Sequence, residues 1–148
     1  MPITYELADK ATHDVAKEIL KRHELELHKA GVTFQVLFAR DSEAGPAIKH
    51  HGYPAAAKIK INSLQDRAKG LPDCTVTVDE KEWLDANQRR RESLFFHEFH
   101  HLTLVFDKNR KLKKDDLGRP KLKIRLHDHQ VGIFTDVVAT YGADSFDH

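Results

Sequence analysis

Residues 95–102 read FFHEFHHL, a run of aromatic and aliphatic side chains interrupted by three histidines and a glutamate. Leu94, Leu104 and Val105 extend its apolar character, so the segment reads as a central helix. Burying polar groups without partners costs about 1–3 kcal/mol each, and more for a charge. A chain that folds around this segment must therefore supply partners for its titratable groups. A bound cation is the simplest partner for imidazoles. Eleven of the 148 residues are histidine, which makes the demand sharper.

His97, Glu98 and His101 form the pattern H-E-x-x-H. At about 3.6 residues per helical turn, the two histidines lie on one face and can grip a single ion. The glutamate flanks that face and can reach a water on the ion, the arrangement of a metallopeptidase helix. His100 reads as a flanking residue. A catalytic zinc takes three protein ligands and keeps one position open. No glutamate follows Glu98, so a downstream glutamate ligand is excluded. The extended H-E-x-x-H-x-x-G-x-x-H pattern also fails, because Leu104 and Asp107 occupy its glycine and last histidine positions. His127, Asp128, His129 and Asp136 downstream, and His50 or His51 upstream, remain. His127 is preferred, because it follows directly on a strand that would return the chain to the metal helix. Asp128 reads equally as a helix N-cap or as a ligand, and it could also accept from a ligand imidazole. His129 is the main rival as ligand. Imidazole ligands in a tetrahedral site favour zinc, one ion per chain.

The rest of the chain sorts into alternating helix and strand signals. Ala8–Lys29 is expected as one helix ended by Gly31, and Val32–Ala39 as a buried strand. Asp41–Ala56 reads as a loop, Lys58–Ile61 and Cys74–Val78 as strands, and Arg67–Pro72 as a turn. Asp85 with Gln88 forms a capping-box pattern opening a helix to about Phe106. Lys111–Lys114 and Lys121–Leu126 flank the turn signal DDLGRP, a β-hairpin with Leu122, Ile124 and Leu126 facing inward. A last helix is expected from His129 to Tyr141, ending at Gly142. The result is an α+β arrangement, and 148 residues suit a single domain spanning the whole chain.

Composition narrows the setting. Lys plus Arg number 24 and Asp plus Glu 23, so bulk charge does not drive the chain onto nucleic acid or lipid. One cysteine, Cys74, excludes an intrachain disulfide and fits a reducing cytoplasm. Its alternation with Val76 and Val78 marks it as a packing residue. The N-terminus carries no secretory signal pattern, and no apolar run reaches the length of a membrane span. His23 and His28 in HELELH lie about 140° apart on a helix, so they read as surface residues.

HEFHH at 97–101, DDLGRPKLKIRLHDH at 115–129 and VVATYG at 137–142 together resemble the phage metallopeptidase family, a relative of SprT-like zincins. The stretch HGYPAAAKIKINSLQDRAKGLPDCTVTVDEKEW at 51–83 resembles the same family's strand–turn–strand region. The resemblance covers roughly residues 30–142. It implies a zincin-like fold, a small twisted sheet packed on helices with the HExxH helix beneath it. It implies zinc and peptide-bond hydrolysis in a phage or prophage protein acting on a protein or peptide in a bacterial cytoplasm. It assigns His97, His101 and His127 as ligands and Glu98 as base. SprT-like proteins often carry a four-cysteine zinc ribbon, which this chain lacks.

Hydrolysis also needs an oxyanion donor, for which Tyr141, His129 and Tyr53 are candidates. The strand Cys74–Val78 is expected as the sheet edge on which an extended substrate adds. Two non-catalytic readings compete. One is a zinc-containing protein-binding domain. The other is a nucleic-acid module using the hairpin 108–125, with nine Lys/Arg against two acidic residues. Its candidate contacts are Lys111, Lys113, Lys114, Arg119, Lys121, Lys123 and Arg125. Lysines guarding an exposed strand edge are the plainer account of the same run.

Overall fold

The computed structural model describes residues 2–43, 45–50, 53–127 and 134–145, and of residues 50, 53 and 54 the backbone alone. The architecture is α+β. A four-stranded mixed sheet has the order β1 (Ile3–Leu7), β2 (Phe34–Asp41), β6 (Cys74–Asp79), β5 (Ala57–Ile61). β1 and β2 are antiparallel, β2 and β6 parallel, and β5 and β6 antiparallel. Between β2 and β5 lies a two-residue-strand hairpin, β3 (Lys49–His50) with β4 (Tyr53–Pro54).

All six residues of β6 are buried, although its alternating CTVTVD pattern predicts one wet face. Cys74, Val76 and Val78 join the apolar core. On the other face Thr75 donates to Asn62 Oδ1 at 3.0 Å and accepts from Gln35 Nε2 at 3.1 Å. Asn62 in turn donates to the Pro72 carbonyl. Buried hydroxyls with full hydrogen bonding carry little penalty. β6 is therefore interior, not the sheet edge that its sequence suggests, and the edges are β1 and β5.

Asp9 caps α1 (Lys10–His23), accepting from the Thr12 N–H at 2.8 Å. The single helix expected over 8–29 is broken. Glu24 leaves helical geometry (φ −128°, ψ 54°), and α2 (Leu25–Lys29) starts anew. The break releases the Glu24 carboxylate toward His100, 2.5 Å away. His23 is half-buried rather than on the surface, stacked on Phe96 with centroids 4.4 Å apart, while His28 is exposed. Burial and the neighbouring Arg22 hold the His23 pKa below the ordinary imidazole range.

The turn expected near 67–72 begins as a short helix, α3 (Leu64–Ala68), capped by Ser63. Asp79 caps α4 (Glu80–Asp85), and Asn87 caps α5 (Gln88–His100) by accepting from the Arg90 N–H. Asp85 therefore ends one helix instead of opening the next. α5 packs against α1 and β5 and buries Leu94, Phe95, Phe96 and Phe99 in the core. It stops at His101, where the expected helix would run on to Phe106. The apolar and β-branched LTLV that follows suits a strand, and β7 (Leu102–Leu104) pairs antiparallel with β8 (Leu122–Ile124).

Between β7 and β8 the chain makes two tight loops, each headed by an aspartate. Asp107 Oδ1 accepts from the Asn109 and Lys111 N–H groups, and Asp115 Oδ1 from those of Leu117 and Arg119. The left-handed corner residues are Arg110 (φ 62°) and Gly118 (φ 75°). The hairpin expected from 111–114 with 121–126 thus survives only around the bridge Lys114↔Pro120, with the Lys121 N–H on the Lys113 carbonyl and the Asp115 N–H on the Arg119 carbonyl, since β8 gives its ladder to β7. Leu122 is half-buried, but Ile124 and Leu126 are 44% and 83% exposed, against the expected inward face. The C-terminal α6 (Thr135–Tyr141) ends at Gly142 as expected and begins after Phe134, six residues later than expected.

An ionic knot ties the Asp115 loop to the sheet and to α3. Asp73, 2% exposed, accepts from the Thr33 N–H and hydroxyl and from Arg119 Nε and Nη2. Arg67 pairs with Asp115. Burial pushes the Asp73 carboxyl upward, but Arg119 and Thr33 outweigh it and hold the pKa below the usual carboxylate range. A folded pKa below the unfolded value of about 3.9 means stability that is full above that value and lost as pH falls through the folded pKa. Asp73→Asn is expected to lose about 2–3 kcal/mol at neutral pH. Its denaturant-melting stability should also fall less steeply than the wild type's below about pH 4.

Candidate metal centre

His97 and Glu98 occupy the last turn of α5, and His101 is its C-cap. His127 arrives from the chain just beyond β8. One nitrogen from each of His97, His101 and His127 lies within 4.8 Å of the others. His97 Nε2 and His127 Nε2 face each other at 3.0 Å. Nitrogens bound at about 2.0–2.1 Å to one ion lie within roughly 4 Å of one another, so the cluster is close to a closed ligand set.

Local structure fixes each imidazole. His101 Nδ1 lies 2.8 Å from the Arg125 carbonyl oxygen. A carbonyl only accepts, so in the neutral ring Nδ1 carries the proton and Nε2 the lone pair that a metal needs. The Arg125 N–H returns a bond to the His101 carbonyl at 2.5 Å. This reciprocal pair sets His127 two residues further on. Phe134, fully buried, places its ring 5.0 Å from His97, 4.8 Å from His101 and 5.2 Å from His127, centroid to centroid. One apolar ring thus backs all three imidazoles and restricts water behind them.

Glu98 is 4% exposed. Its Oε2 stands 3.8 Å from His97 Nε2, so a carboxylate borders the cluster. The donor set fits a borderline-soft cation: three imidazole nitrogens that can close on one point, and an adjacent carboxylate that is not needed as a ligand.

His100 turns away from this centre. Its Nδ1 meets Glu24, and its Nε2 lies 3.0 Å from Asp136 and also against Arg125. Asp136 is thereby committed to His100. Sequence reasoning did not single out Arg125 for this centre. The signal available for Phe134 was its place seven residues beyond His127, at the start of a helix.

Tyr141 is buried, and its hydroxyl contacts Glu92 (3.2 Å) and His23 (3.1 Å). Burial and Glu92 push its pKa up to about 12. Glu92 precedes His97 by more than a turn of α5, so the structure holds the Tyr141 hydroxyl in a helix-packing contact. Asp128 and His129, and the side chains of Tyr53, His50 and His51, lie outside the described residues. Asp107 serves its own loop. Cys74 is fully buried, and burial raises its thiol pKa to about 12, so it is a packing residue.

A family model described as "Putative phage metallopeptidase" matches residues 3–147. No curated protein and no solved structure matches the chain. Among the described residues, no helix is long and apolar enough to cross a membrane.

Removing the ring that backs the cluster tests its packing. Phe134→Ala should lower thermal-unfolding stability by about 3–5 kcal/mol, and Phe134→Leu by clearly less.

Proposed function

From the premise that the chain belongs to the phage metallopeptidase family, we propose that it is a zinc-dependent peptidase of zincin-like, SprT-like type. His97, His101 and His127 hold the ion and Glu98 is the general base. The observation that carries the reading is the convergence of three imidazole nitrogens within 4.8 Å beside a buried carboxylate.

A zinc ion held by these three imidazoles would lower the pKa of a bound water toward neutrality. Glu98 takes the proton of the attacking water, then delivers it to the leaving amine as the peptide C–N bond breaks. Its burial keeps bulk water from competing for that proton. His101 is held in the right tautomer by the Arg125 carbonyl, and Phe134 limits where the three rings can tilt.

An extended peptide would add to β5, the outer strand of the sheet, which packs against α5. Lys58 and Lys60 are exposed along that strand. This replaces β6, whose both edges are already paired. The site of action under this reading is the cytoplasm of a phage-infected or lysogenic cell.

Glu98→Gln tests the assignment. Metal content should match the wild type, while hydrolysis of an unfolded protein such as casein should fall about 10²–10⁴-fold. A variant that keeps full activity contradicts the role given to Glu98.

A further inference from the structure

Six of the nine basic residues of the 108–125 run fall into two groups in the folded chain. Arg119 is committed to Asp73 and the Gly31 carbonyl, and Arg125 to His100 and the Phe134 ring. Neither is available to an outside partner without loosening the fold. Lys111, Lys113, Lys121 and Lys123 are different. All four are exposed, and none forms an ion pair among the described residues.

Pairing places these four lysines together. The Lys121 N–H donates to the Lys113 carbonyl, beside the bridge Lys114↔Pro120, so Lys113 and Lys121 are cross-strand partners. Lys123 pairs with Thr103. Strand side chains alternate, so Lys111 and Lys113 share one face with Lys121 and Lys123. The opposite face carries Leu104 and Leu122, which pack on the core. Like charges directly opposite one another destabilise an antiparallel pair. No acid nearby pairs with these lysines: Asp107 caps its own loop, Asp115 caps its loop and pairs with Arg67, and the exposed Asp116 forms no ion pair among the described residues. Cations two residues apart on a strand are spaced about 6.6 Å, a regular row suited to a repeating polyanion. Thr103 and Val105 share that face, and no large apolar side chain does, so it lacks the anchor that a lipid surface needs.

We propose that the Lys111–Lys113–Lys121–Lys123 face binds the phosphodiester backbone of nucleic acid without sequence preference. The proposal uses no residue of the histidine cluster, so it stands or falls apart from the peptidase reading.

The test is fluorescence anisotropy of the full chain with a labelled DNA 20-mer, single-stranded and duplex, between about 50 and 200 mM salt. Four phosphate contacts predict a slope of log K against log salt of about −3.6 for duplex and about −2.8 for single-stranded DNA. Lys113→Glu is the decisive variant, because it turns the repulsive Lys113/Lys121 pair into an attractive one. Its melting temperature should hold or rise while DNA affinity falls more than about tenfold and the slope shallows. Lys17→Glu, exposed on α1, should leave binding close to wild type. No binding at about 50 mM salt overturns the proposal. Equal losses in the two variants overturn it as well, as does binding to phosphatidylserine vesicles without binding to DNA.

Discussion

The reciprocal hydrogen bonds between His101 and Arg125 are the constraint on which the rest of the site depends. The His101 carbonyl accepts from the Arg125 N–H, and the Arg125 carbonyl faces His101 Nδ1. One pairing does three things. It ends α5, it sets the register of β7 on β8, and it fixes the tautomer of one imidazole of the histidine cluster. His127 then meets His97 because it lies two residues beyond Arg125 on a chain already pinned to the helix end. His100 and Phe134 brace the same point, since the Arg125 guanidinium contacts the first and lies over the ring of the second.

The titratable groups of the greasy segment each find a separate solution. His97 and His101 turn into the cluster, and Glu98 borders it. His100 leaves by the opposite side, where the break between α1 and α2 supplies Glu24. The helix break is therefore part of the same electrostatic arrangement. A straight helix through residue 24 would not deliver that carboxylate by the same route.

Sequence reading located the centre better than it located the elements around it. His97, Glu98 and His101 stand out because helical spacing is short-range, and His127 because it follows a visible strand. The stop at His101 was not legible, because no glycine or proline marks it. The helix ends through pairing with Arg125, 24 residues away. The Asp85 pattern misled because Asn87, two residues on, offers the same capping chemistry. The alternating β6 hid its interior place because Asn62 and Gln35 satisfy the Thr75 hydroxyl from a distance. β1 was missed because its residues are mostly exposed at the sheet edge, which leaves little apolar pattern to read.

The central claim is that the three histidines form one metal site. The most direct test is elemental mass spectrometry on the purified, untagged chain after zinc is supplied and excess removed, alongside His127→Ala. The account predicts about one zinc per wild-type chain, and a marked loss from the variant on dialysis against a mild chelator, since two ligands remain of three. A wild-type chain that retains no metal, or a variant that retains it as firmly as the wild type, would contradict it.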